Sequence, residues 1–177
     1  TPTLPDAPLG TDYALSLAAA GGIAPYTFAV TAGALPTGVV MDAGGNMSGT
    51  TTAAGTFNFT VTATDSGGYT GSQGYTVLIQ AATLLLAPAT LPDGTVGTAY
   101  AETITASGGT GPYAFAVSAG SLPTGLVLDG GGGLSGTPTA TGTFNFTVTA
   151  TDSLGQTGDQ AYTVAIAAAP PPPPPIV

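Results

Sequence analysis

The chain repeats itself. From Leu4 to Ile79 it aligns with Leu91 to Ile166 at a constant offset of 87 residues, without insertion or deletion, and about two-thirds of the aligned positions are identical. A self-similar period of that length marks separately folded modules, because solenoid repeats run only about 20–50 residues. Two domains are therefore expected in the 177 residues, at 1–82 and 83–169, followed by a proline tail at 170–177. Each repeat is long enough to bury about 60% of the surface its unfolded chain exposes. It must do so without disulfides, since the chain has no cysteine.

The pattern inside each repeat is that of β-strands. Phe144, Phe146, Val148 and Ala150 alternate with Thr143, Asn145, Thr147, Thr149 and Thr151. Such a period of two places one face on a core and the other in water. Phe57, Phe59, Val61 and Ala63 repeat the pattern in the first copy. Further strands are expected at Tyr113–Phe115–Val117 and Tyr26–Phe28–Val30, at Leu126 and Leu128, at Tyr162–Val164–Ile166, and at Ile104 with Ala106. Turn signals separate them: Gly108-Gly109, Leu122-Pro123-Thr124-Gly125, Asp129 to Gly133, Gly136-Thr137-Pro138 and Asp152-Ser153-Leu154-Gly155. Many short strands between Gly and Pro turns predict a sandwich or barrel. No segment carries a helical apolar period, so helix should be nearly absent. Core side chains should include Phe28, Phe57, Phe59, Val61, Phe115, Phe144, Phe146 and Val148.

The series Leu91-Pro92-Asp93-Gly94, Val96-Gly97, Tyr100, Gly108-Gly109, Pro112-Tyr113, Leu122-Pro123-Thr124-Gly125-Leu126, Leu134-Ser135-Gly136-Thr137-Pro138 and Thr147 to Asp152 resembles the "putative Ig" repeats of bacterial surface proteins, relatives of cadherin-like domains. The resemblance covers both copies. It implies an all-β fold of two tandem immunoglobulin-like β-sandwich domains, and a protein that is extracellular or at the cell surface. Such repeats serve as stalks, adhesin segments and accessory modules. Copy one departs from the pattern with Ala7-Pro8 in place of Gly94-Thr95 and Thr51 in place of Pro138. It also has only Thr1-Pro2-Thr3 before its Leu-Pro-Asp, where copy two has Thr83-Leu84-Leu85-Leu86-Ala87-Pro88, so domain 1 is expected to lack its first edge strand. A chain starting at Thr1 reads as a processed product or a fragment.

Nine acids face no Lys, Arg or His, for a net charge of −9. Binding to nucleic acid or to an anionic membrane requires cations, and so neither partner is expected. Side-chain salt bridges cannot form, and trypsin has no bond to cut. The longest apolar runs fall far short of the ~20 residues of a membrane-spanning helix.

Without His, Cys, Lys or Arg, triads, thiolates, Schiff bases and phosphate clamps are all unavailable. Paired carboxylates could in principle serve a glycosidase. Most acids, however, recur at the same turn in both copies, and no enzyme activity, catalytic residue or cofactor is expected. The family resemblance raises calcium, which cadherin-like relatives bind between domains. Asp65 and Asp152 sit where those relatives place an acid, yet Gln80 to Leu91 supplies none. These two, like Asp42 and Asp129 before Gly-rich loops, are read as closing their turns through Asx hydrogen bonds.

All three asparagines, Asn46, Asn58 and Asn145, lie in N-x-Ser/Thr sequons and are candidate glycosylation sites, with glycans as candidate partners. Tyr26 and Tyr113 beside prolines are read as core anchors in preference to sugar platforms. Pro170 to Pro175 should form a stiff polyproline II rod. Its tip, Ile176 and Val177, supplies candidate assembly anchors. These features predict a homo-oligomer or filament: a structural subunit of a surface fibre or pilus-like filament, polymerising through domain contacts and exchange of Ala167 to Val177 into domain 1. The alternative is a spacer or carbohydrate-binding module of a larger secreted adhesin or hydrolase.

Overall fold

The computed structural model describes residues 3–171 and 173. All regular structure among them is β-strand, in two compact units with the boundary between Ala82 and Thr83. Domain 1 contains β1 (Ala7–Pro8), β2 (Leu15–Ser16), β3 (Thr27–Gly33), β4 (Val39–Met41), β5 (Asn46–Gly49), β6 (Gly55–Thr64) and β7 (Thr70–Gln80). Domain 2 contains β8 (Leu85–Ala87), β9 (Gly94–Thr95), β10 (Tyr100–Thr103), β11 (Thr105–Ser107), β12 (Ala114–Gly120), β13 (Leu126–Leu128), β14 (Gly133–Gly136), β15 (Gly142–Thr151) and β16 (Thr157–Ala167). Each domain is an immunoglobulin-like sandwich. Its larger sheet has the order β1-β7-β6-β3 or β9-β16-β15-β12, and its smaller one β2-β5-β4 or β10-β14-β13. Domain 2 alone adds a third, two-stranded sheet, β11-β8.

The long hairpins are the frame. β6 and β7 pair without a break from Gly55↔Ile79 to Thr64↔Thr70, and β15 and β16 from Gly142↔Ile166 to Thr151↔Thr157. Their alternation delivers Phe59, Val61, Val77 and Ile79, or Phe146, Val148, Val164 and Ile166, to the core. Phe28, Phe57 and Phe144 are only half-buried, whereas Phe115 is buried. Each hairpin turns on a glycine with positive φ, Gly68 at +86° or Gly155 at +79°, a region that a residue with a Cβ rarely adopts.

Two short strands depart from the sequence reading. The turn signals place Gly133 and Gly136 in turns and assign Leu134-Ser135 to no strand, yet β14 is the central strand of its sheet, flanked by β10 and β13. Its two glycines leave no alternating side chains to read, and the fully buried Leu134 alone fixes its face. The expected strand through Ile104 and Ala106 is instead broken at Ile104. There the backbone N–H bonds to the Gly132 carbonyl at 2.8 Å, and the chain passes from the partner of β14 to the partner of β8. The larger sheets are closed in parallel by β1 on β7 and β9 on β16. Asp6 and Asp93 secure those edges, their Oδ1 atoms accepting the Leu78 and Ala165 amides at 2.8 Å.

Candidate functional site

The two domains differ most at one place, and domain 2 shows what belongs there. β8 pairs with β11 through Leu85↔Ser107, Leu86↔Ala106 and Ala87↔Thr105. Leu84 is buried, Leu85 points to solvent at 66% exposure, and Leu86 is half-buried. The Tyr162 hydroxyl donates to the Pro88 carbonyl at 2.9 Å, and Gln160 Nε2 donates to the Ala89 carbonyl at 3.3 Å. Beneath the segment lie three glycines. A Cβ on Gly108 would collide with the Thr83 carbonyl, and one on Gly158 would lie 2.7 Å from Leu84 Cβ; one on Gly109 would meet the Asp152 carboxylate first and Leu84 Cδ1 at 2.9 Å, as one on Gly22 would meet Asp65. Glycine at these positions makes a seat for a backbone that approaches closely.

Domain 1 keeps the seat. Gly21, Gly22 and Gly71 align with those three glycines, and a Cβ on Gly21 or Gly71 would meet nothing within 4 Å. Ala18–Ala20, aligned with β11, belong to no strand. What remains is a groove of about 600 Å³ whose lining includes Leu17, Ala19, Phe28, Ala63, Gly71 and Tyr75. Burial records the difference pair by pair. Ile104, Ala150, Phe115 and Tyr162 are buried, whereas their counterparts Leu17, Ala63, Phe28 and Tyr75 are only half covered. Phe59 and Tyr75 stack at 5.7 Å and 34°, the same geometry as Phe146 and Tyr162 under the occupied seat.

The acids hold turns and strand edges. Asp65 Oδ1 accepts the Gly67 and Tyr69 amides and its Oδ2 the Ile23 amide, all at 2.9 Å. The Ile23 and Tyr69 amides hold its carboxyl below the usual carboxylate range. Asp152 takes the equivalent bonds from Leu154, Gln156 and Thr110 at 2.8–2.9 Å. Burial pushes its pKa upward, but the Thr110, Gln156 and Leu154 amides outweigh it and the net displacement is downward. Asp42 is held low by the side-chain and backbone amides of Asn46. Asp129 Oδ1 caps its turn through Gly131 and Gly133. Each of these carboxylates directs its lone pairs at amide N–H groups, and no cluster of three metal-ligating side chains occurs among the described residues.

The remaining candidates are dispersed. Asn46, Asn58 and Asn145 are all exposed. Asn46 Nδ2 donates to both Asp42 oxygens, whereas Asn58 and Asn145 use Oδ1 to accept from Thr76 and Thr163 at 2.7 Å. Tyr26 and Tyr113 are half-buried and donate to the Gly21 and Gly108 carbonyls, tying down the glycine turn beside each seat. Ala168–Pro171 and Pro173 are exposed and outside any strand; Ile176 and Val177 lie outside the described residues. The sequence reading passed over Gly22, Gly71, Tyr75 and Leu17 as site residues. Glycine is common throughout the chain, and nothing in the sequence alone set these positions apart.

This fold defines a tandem all-β, immunoglobulin-like sandwich protein. The family described as "Putative Ig domain" matches residues 1–80 and again 82–167, and the chain belongs to that family in two copies. No curated protein sequence matches. Among solved structures, the chain is similar to a "putative alpha-galactosidase" from Bacteroides fragilis, at 26% identity and a TM-score of 0.41 over 48% of this chain and 17% of that one. It is also similar to extracellular cadherin domains 3–6 of protocadherin gamma B2, at 12% identity and a TM-score of 0.44 over 94% of this chain and 51% of that one. Drosophila N-cadherin domains EC1–4 match at 14% identity and a TM-score of 0.38 over 93% of this chain and 49% of that one. The chain thus spans about half or less of the length of each of these structures.

Proposed function

We propose that the chain is a non-catalytic structural segment of an extracellular surface fibre, built to be joined to other chains. The observation that carries this reading is the repetition of one immunoglobulin-like sandwich, with no cluster of three metal-ligating side chains among the described residues. The groove of domain 1 is lined by Leu17, Phe28 and Ala63 together with polar side chains such as Thr70, Ser72 and Gln73 spread along it. A substrate pocket would instead converge polar or titratable groups on one point. The groove shows no such convergence of titratable groups. Its neighbouring acid, Asp65, is already committed to three amides. The family membership supports a cell-surface setting, and the absence of Lys and Arg suits a protein exposed to proteases. Negative-stain microscopy of native material tests the reading. Filaments are expected, and a population of isolated short particles at all concentrations would return the chain to the role of a spacer module.

A further inference from the structure

We propose that Asn58 and Asn145 carry N-linked sugars and that Asn46 does not, an assignment that goes beyond the structural role and stands independently of it. Asparagine is rare in this chain, and all three copies lie in N-x-Ser/Thr sequons. The strands sort them. Asn58 lies in β6 and Asn145 in β15, each exposed on the outer face of its larger sheet. Phe59 and Phe146, next in the chain, face the other way and are buried, so a sugar on either asparagine leaves the core untouched. Residues two apart share one face of a strand. The sequon residues Thr60 and Thr147 therefore stand on the same side as their asparagines.

The side-chain amides of these two are set for attachment. Thr76 donates to Asn58 Oδ1 and Thr163 to Asn145 Oδ1, both at 2.7 Å. The amide group is planar, and holding Oδ1 on the side of β7 or β16 turns the donor Nδ2 to the opposite side. There β3 and β12 end in Gly33 and Gly120, which bring no side chain. In domain 1 the asparagine opens on a shallow depression of about 340 Å³, bordered by small residues that include Ala32, Gly33 and Gly74. Asn46 is exposed too, but its Nδ2 donates to the Asp42 carboxylate oxygens at 2.9 and 3.2 Å. Its own backbone amide donates to Asp42 Oδ1 at 2.9 Å. At the aligned position of domain 2 stands Gly133, whose amide makes the same bond to Asp129 with no side chain at all. Asn46 thus serves its turn, and its nitrogen is committed.

Attachment joins Nδ2 to the anomeric carbon of a sugar while that carbon's bond to a diphosphate leaving group breaks. Nδ2 gives up one proton, the diphosphate departs with the bonding pair, and nothing is oxidised or reduced. A sugar diphosphate donor and a transferase of the cell supply the reaction; the chain supplies the acceptor.

The test is a glycopeptide map of the full chain from native material. Chymotrypsin replaces trypsin, which has no site, and parts Asn46 from Asn58 at Phe57. Sugar mass is expected on the peptides holding Asn58 and Asn145, with Asn46 bare. Thr60→Val and Thr147→Val, produced in the same host, remove each sequon hydroxyl and keep a β-branched side chain suited to a strand. Each should lose the sugar at its own asparagine and keep the other. Circular dichroism and the thermal midpoint establish that the variants have folded, and the native map stands without them. Native chain bare at Asn58 or Asn145 overturns the proposal. So does sugar on Asn46 at equal occupancy, or sugar that persists at Asn58 or Asn145 in the matching folded variant.

Discussion

At the scale of single residues, the domains are held by hydrogen bonds from side chains to backbone in place of ion pairs. Tyr100 donates to the Pro92 carbonyl at 2.8 Å, and Tyr13 to the Pro5 carbonyl at 3.0 Å, pinning each domain's entry segment to its second sheet. Burial, reinforced by the charges of Glu102 and Asp93, pushes the Tyr100 phenol up to about 12. An unfolded tyrosine titrates near 10. Between those values the unfolded chain has lost a proton that the folded chain still holds. The Tyr100 contribution is therefore fully present below about pH 10 and lost as pH rises toward 12. Tyr100→Phe is expected to cost about 1 kcal/mol at neutral pH and to flatten the alkaline decline, as read by denaturant unfolding across that range. An unaltered alkaline limb would show that another group governs it. Asp65 and Asp152 act with the opposite sign. Their carboxyls are held below the ordinary 3.8, so their contribution is present above that value and lost as pH falls through the lower folded value.

At the scale of elements, one strand separates the domains, and its effect on the core is measurable. Ile104 is fully buried beneath β8, whereas Leu17 at the aligned position is half-buried at the groove. Ile104→Ala is expected to cost about 2–5 kcal/mol, and Leu17→Ala clearly less, because part of that side chain is already in water. Urea titration followed by probes placed separately in each domain compares the two; equal losses would mean that the groove is not open in solution. The elements also show what a sequence discloses. β6 and β15 were legible because Phe, Val and Thr alternate along them with nothing to interrupt the period. β14 was not, since Gly133 and Gly136 erase the alternation and leave Leu134 as its only apolar mark. The break at Ile104 was hidden for another reason: a residue passing between sheets keeps the composition of a strand. The missing edge segment could be read by aligning one repeat on the other. The glycine floor beneath it could not, because glycine is common throughout the chain and only a neighbour's close approach distinguishes a seat from a turn.

At the scale of the whole molecule, electrostatics sets the conditions under which copies can meet. The chain carries −9 with no cation anywhere, so every encounter between copies at neutral pH is repulsive at long range. No complementary patch can offset this within a homotypic contact, because complementarity requires both signs. Salt shortens the reach of the repulsion from about 30 Å at 0.01 M to about 8 Å at 0.15 M. Assembly of copies is therefore expected to strengthen as monovalent salt rises through that range, followed at pH 7 by light scattering or sedimentation. For such assembly, the acidic faces must be screened before sandwiches pack side by side. Assembly that weakens with added salt would count against homotypic packing, because attraction would then have to come from cations that this chain does not possess.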